Sequence, residues 1–82
     1  MRGNTKIVNL SDETLKLFKI KFIRHSGEIY LSSVLDSKDN RYVIDTKTSE
    51  LFDKKSGKCY ILNEETNERL FDICKYAFIM NY

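Results

Sequence analysis

The sequence predicts a small, mostly β fold, either an antiparallel meander or a partly closed barrel, in which residues 1–82 form a single domain. Polar turn signals recur about every 8–12 residues, a spacing typical of small all-β domains. In addition, residues 42–53 are nearly repeated in residues 60–72, with Arg69 as the one insertion. Each copy runs from an apolar segment that begins with Tyr, through a polar stretch, to Leu-Phe-Asp. Each copy therefore predicts a strand, a turn and a second strand.

The segments before the repeat also read as strands. Residues 7–10 predict a first short strand. Residues 15–24 predict a strand with a basic outer face, because Phe18, Ile20 and Phe22 alternate with Lys19 and Lys21. Ser11, followed by two acidic residues, is a good helix start signal at the beginning of this segment, but the apolar residues that follow do not form a helical stripe. Residues 28–35 predict a further strand.

The C-terminal segment fits two interpretations. Its apolar residues recur at helical spacing, and Asn63 is a suitable helix cap, so a C-terminal helix packed on the sheet is the alternative α+β fold. Against this, the repeat makes residues 68–73 the partner strand of residues 60–62. The last apolar side chains also alternate with period two, and aromatic residues favour strands. The strand is the preferred prediction.

The predicted core is drawn from the apolar faces of these segments. Its candidate members are Phe18, Ile20, Phe22, Ile29, Leu31, Tyr42, Ile44, Leu51, Tyr60, Leu62, Leu70, Ile73 and Phe78.

No catalytic or metal-binding motif is visible, which predicts a protein that is not an enzyme and has no cofactor. His25 is the only histidine, and it lies in a His-Ser-Gly turn without a carboxylate to orient it. Cys59 and Cys74 are 15 residues apart and form no CxxC pair, so neither a metal site nor a redox motif is indicated. Whether these two cysteines pair is left open, although two free thiols are the commoner state in a reduced cytosol.

The composition favours a cytoplasmic protein. The N-terminus lacks the apolar region of a signal peptide, and no run approaches the roughly 20 apolar residues of a membrane span. Abundant Lys, Ile and Asn, with one Ala and no Pro, are typical of AT-rich genomes, including those of phages and plasmids. The formal net charge of +2 gives a weak overall field and leaves the class of partner open.

Protein binding is the leading functional hypothesis, in the form of a small accessory or inhibitor protein that occupies a partner's surface. Five tyrosines are many for this length, and Tyr is enriched at binding surfaces. The aromatic C-terminus can cover the core or meet a partner protein of unknown identity. The predicted protein-binding residues are Tyr76, Phe78, Met80 and Tyr82.

The alternative hypothesis is weak nucleic-acid binding by a basic strand face. Residues 1–30 carry six basic and three acidic side chains, and a basic sheet face with an aromatic residue is how small β folds hold single strands. The oligomeric state does not follow from the sequence. The predicted nucleic-acid-binding residues are Lys16, Lys19, Lys21, Arg24 and Tyr30.

Overall fold

The computed structural model describes residues 5–81, and this part of the chain contains seven strands and two helices. In chain order they are β1 (Lys6–Val8), α1 (Asp12–Leu15), β2 (Phe22–His25), β3 (Glu28–Leu31), β4 (Val34–Asp36), β5 (Tyr42–Asp45), β6 (Glu50–Asp53), β7 (Cys59–Leu62) and α2 (Glu64–Asn81).

The main sheet has five strands in the order β1-β7-β6-β5-β4. Strands β4 to β7 form the predicted antiparallel meander, and β1 is added beside β7 in parallel. Strands β2 and β3 form a separate antiparallel hairpin. The main sheet ends at β1 and β4 and does not close into a barrel. The fold is therefore mostly β, and the α+β alternative with a C-terminal helix packed on the sheet describes it best.

The first copy of the repeat folds as predicted, into the β5–β6 hairpin. The Asp45 side chain accepts hydrogen bonds from the backbone N–H groups two and three residues later, and Ser49 then adopts a φ of 61°. The same arrangement recurs one hairpin later, where Asp53 accepts the equivalent two bonds and Gly57 adopts a φ of 77°. An Asp side chain that closes each turn therefore shapes both connections, and the residue with positive φ returns the chain to the sheet.

Only the first half of the second repeat copy has the predicted structure. Residues 60–62 lie in β7, but the predicted partner strand over residues 68–73 is wrong, because α2 begins at Glu64. Asn63 Oδ1 caps the helix by accepting from the Thr66 N–H at 2.8 Å. Thr66, Leu70 and Cys74 are then buried at intervals of four residues. This helical stripe outweighs the resemblance to the first copy, since it buries one continuous face.

The predicted strand over residues 15–24 is also wrong in its first part. Ser11 Oγ accepts from the Thr14 N–H and caps α1, as its start signal indicated. Leu15 and Phe18 are both buried, and their spacing of three residues suits a helical turn and not one face of a strand. Beyond α1, Phe18 makes only an isolated bridge with Ser37, and regular strand pairing begins at residue 22.

The core lies between the sheet, α1 and the first half of α2. The buried apolar residues are Leu15, Phe18, Leu35, Ile44, Leu51, Leu62, Leu70 and Cys74. Leu15, Leu35 and Cys74 are additional to the predicted core list; Leu15 and Cys74 reach the core from α1 and α2, in segments that were predicted as strands. Both cysteines are free thiols in the structure. Burial raises the pKa of the Cys74 thiol to about 11, so this thiol stays protonated near neutral pH.

Candidate protein-binding surface

The solvent-facing side of α2 changes character along the helix. In the first half it carries charged residues, among them Glu65, Glu68 and Asp72. In the second half it carries Tyr76, Ile79 and Met80, which are 65, 64 and 63% exposed. These three residues occupy positions i, i+3 and i+4 and therefore lie on one face of the helix. We call the surface formed by Tyr76, Ile79 and Met80 the helix-end surface.

The first half of α2 is held firmly against the rest of the chain. Arg69 donates to the Asp12 carboxylate at 2.8 Å, to Glu65 at 3.0 Å and to the backbone carbonyl of Leu10. The Thr66 hydroxyl is fully buried, donates to Asn9 Oδ1 at 2.7 Å and accepts from the Leu10 N–H at 3.0 Å. These contacts fix the direction in which the helix leaves the core.

The second half of α2 extends past this attachment. The helix has 18 residues and a length of about 27 Å, and within the described chain no residue after Cys74 is buried. Phe78 meets another element here: its ring packs edge to face on Phe22 of β2, with 5.3 Å between the centroids. The end of α2 is thus supported on one flank and open on the flank that carries the helix-end surface.

The predicted protein-binding residues do not all occupy this surface. Tyr76 and Met80 belong to it, Phe78 lies on the flank that packs against Phe22, and Tyr82 is outside the described residues. Ile79 was missed because an alternating pattern places it opposite Tyr76 and Met80. The helical period of 3.6 residues brings the three together, and that period was the signal that could have identified Ile79.

The residues predicted to bind nucleic acid are more dispersed. Lys16 ends α1, Lys19 Nζ donates to Asn40 Oδ1 at 3.3 Å, and Lys21 precedes β2. These three lysines lie outside the regular strands, so the premise that Lys19 and Lys21 project from one strand face, with Lys16 near its end, is wrong.

The remaining two residues of that set lie on opposite faces of the β2–β3 hairpin. Tyr30 is the cross-strand partner of Ile23 and therefore shares its face. Arg24 follows Ile23 in the strand and points to the other face, together with its own partner Ile29. The Tyr30 hydroxyl donates to the Glu28 carboxylate, which raises the pKa of Tyr30. The aromatic residue that was expected to stack on a base is therefore hydrogen-bonded to an acidic side chain.

A second apolar area lies on the face of the main sheet that points away from the core. Ile7 and Ile61 are cross-strand neighbours on β1 and β7, and Phe52 and Val43 are neighbours on β6 and β5. Ile7 is the most exposed of them, at 70%. The acidic residues Asp36, Asp45 and Glu50 share this face.

A bidentate ion pair joins Arg41 to the end of β6. The guanidinium donates to both carboxylate oxygens of Asp53, at 3.2 and 3.0 Å, while its plane lies over the Tyr42 ring, 5.0 Å from the centroid. The Asp53 carboxylate is buried and also accepts the two turn N–H bonds described above. These bonds, chiefly those from Arg41, hold the pKa of Asp53 well below its ordinary range and raise the pKa of Arg41.

This ion pair predicts a pH dependence of folding. The pKa of Asp53 is lower in the folded chain than its ordinary value of 3.8, so ionised Asp53 stabilises the fold above about pH 4 and loses this effect as the pH falls. Urea unfolding of the wild type should therefore show a midpoint that drops more steeply between pH 5 and pH 2 than that of Asp53→Asn. The exposed Asp72→Asn variant is the control and should follow the wild type. Parallel curves for all three proteins would contradict the assignment.

The described residues contain no group of three or more His, Cys, Asp or Glu side chains that could hold a metal ion. Within the same residues, neither helix is long and apolar enough to cross a membrane. No protein-family model matches this chain, and neither a curated protein nor a solved structure matches it at a significant level.

Proposed function

We propose that this protein is a non-enzymatic, cytoplasmic accessory or inhibitor protein, encoded by a phage or plasmid, that acts by binding another protein. Its contact with the partner is the helix-end surface. The observation that carries the proposal is the exposure of Tyr76, Ile79 and Met80 on one face of a helix whose other half is well packed.

The arrangement suits insertion of the helix into an apolar groove. Recognition of an amphipathic helix by a groove uses apolar side chains at i, i+3, i+4 and i+7, and three of these positions are filled here. Fully burying a large apolar side chain contributes about 1.5–3 kcal/mol. The three side chains can therefore anchor the helix in such a groove, and Tyr76 adds a hydroxyl that can hydrogen-bond at its rim.

Replacing the helix-end surface should abolish partner binding without unfolding the domain. The test variant is Tyr76→Gln, Ile79→Gln and Met80→Gln together, because Gln keeps a good helix propensity. The matched control replaces the exposed residues Glu68, Asp72 and Lys75 on the same helix by Gln. Each tagged protein is used to capture partners from a lysate of the native host, with and without nuclease and at low and high salt. Circular dichroism verifies that all variants remain folded.

The wild type and the control should retain the same protein band after nuclease treatment and at high salt, and the apolar triple variant should lose it. Equal capture by all three proteins would refute the helix-end surface as the contact. Recovery that disappears with nuclease or salt would instead favour nucleic-acid binding through Lys16, Lys19, Lys21 and Arg24, since phosphate contacts weaken steeply as salt rises.

A further inference from the structure

An open cavity of about 400 Å³ lies between the α1 segment, here residues 14–18, and the core-facing side of the main sheet. Its wall is apolar and includes Val8, Phe18 and Leu51, together with Tyr42 and Tyr60. The two tyrosines are the first residues of the two repeat copies, and they lie on strands separated by β6. The cavity is distinct from the helix-end surface, none of whose residues line it.

The size and lining of this cavity suit a small molecule. Sites for drug-sized ligands have volumes of roughly 300–1,000 Å³ and mostly apolar walls with a few polar groups. An unfilled apolar cavity lowers stability, because its walls lose the contacts that a side chain would provide. A ligand with an apolar body would restore such contacts.

Polar groups at the cavity indicate what else the occupant carries. The hydroxyls of Tyr42 and Tyr60 make no hydrogen bond with any residue from 5 to 81, and the Lys38 ammonium makes no ion pair there. The one acidic residue in the lining, Asp39, already accepts from the Ser37 hydroxyl at 2.6 Å and from the Arg41 N–H at 3.0 Å. Both of these bonds end on Asp39 Oδ1, so the lining carries one carboxylate that is already hydrogen-bonded. One cation and two hydroxyls have no partner among residues 5–81, and these are the groups that can meet an anionic group.

We propose that this cavity binds a small organic acid, with an aromatic or medium-length aliphatic body and one carboxylate. The body lies against Phe18 and Leu51 between the two tyrosine rings, and the carboxylate meets the Lys38 ammonium at the rim. This inference goes beyond the proposed function and does not depend on the helix-end surface.

The test is an NMR titration of the ¹⁵N-labelled protein with 4-phenylbutyrate and with its uncharged analogue 4-phenylbutan-1-ol. Both probes should shift the amide signals of residues that line the cavity. The acid should bind about fivefold more tightly than the alcohol, as expected for one partly exposed charge pair. Lys38→Gln should lower the affinity for the acid to that for the alcohol. The control Lys47→Gln, in the exposed β5–β6 turn, should leave both affinities unchanged.

A third variant tests the position of the site. Leu17 lies at the cavity and is 55% exposed, so Leu17→Trp can narrow the opening from the solvent side and should block both probes. The proposal would be overturned if neither probe bound the wild type, if acid and alcohol bound it equally, or if the shifts fell on the outer face of the sheet. Because Lys38 is exposed, the Lys38→Gln comparison stands even if Leu17→Trp fails to fold.

Discussion

Leu70→Ala is expected to lower the free energy of unfolding by about 2–5 kcal/mol, the range observed for fully buried Leu. Leu70 has no exposed surface and joins α2 to the core that contains Leu15 and Leu62. The loss is a large part of the stability of a domain of this size. Urea unfolding followed by circular dichroism measures it as a lower midpoint with an unchanged slope.

Phe71→Ala is the control for this substitution. Phe71 is the next residue of the same helix but is 42% exposed, so its truncation should cost less than about 1 kcal/mol, although more atoms are removed. A loss at Phe71 equal to or greater than that at Leu70 would mean that α2 packs on the sheet through a different face.

Thr66→Val should cost about 1–3 kcal/mol, the penalty for leaving buried polar groups without their partners. Val has nearly the shape of Thr, so the substitution removes the hydroxyl with little change in volume. The Leu10 N–H then loses its acceptor, and Asn9 Oδ1 loses the donor of the 2.7 Å bond. The hydroxyl thus links the start of α2 to the segment that follows β1, and the same urea experiment measures its contribution.

Thr48→Val provides the matched comparison on the surface. The Thr48 hydroxyl donates to the Glu50 carboxylate, but it lies in the exposed β5–β6 turn. Its loss should change the free energy of unfolding by no more than about 0.5 kcal/mol. Similar costs for Thr66→Val and Thr48→Val would show that the buried hydroxyl has no special role.

Turn chemistry and hydrophobic patterns were sufficient to predict the meander. Asp45 and Gly57 mark turns that the sequence identified, and the structure shows the physical basis, in which an Asp side chain accepts turn N–H groups and a residue with positive φ follows. These are interactions between residues close in the chain, so they are visible in the sequence. The placement of β1 beside β7 is a pairing over more than 50 residues, and nothing local predicts it.

At the C-terminal helix, the preferred strand prediction was wrong because the sequence fits two periods. Two periods were superimposed on residues 64–81, one helical and one alternating. The Asn63 cap and the buried stripe of Thr66, Leu70 and Cys74 favoured the helix; the cap is a local bond, whereas burial of the stripe depends on packing against the rest of the fold. The inserted Arg69 also bonds to Asp12 and Glu65 in the helical form, so the one residue that breaks the repeat stabilises the helix.

The candidate sites differ in how much the sequence could reveal. Tyr76 and Met80 were identified as part of an alternating aromatic and apolar segment at the end of the sequence, and only the helical period adds Ile79. The cavity could not be predicted, because its wall combines residues from β1, the α1 segment, β5, β6 and β7. A wall of this kind depends on tertiary packing and has no continuous sequence pattern.

The most direct test of the central claim is site-specific photo-crosslinking in a lysate of the native host. The photoreactive residue p-benzoylphenylalanine replaces Tyr76 in one sample and Lys47, in the exposed β5–β6 turn, in another. If the helix-end surface binds a partner, irradiation should give one discrete protein adduct from position 76 that is absent from position 47. No adduct at position 76, or the same adducts from both positions, would contradict the assignment of α2 as the binding element.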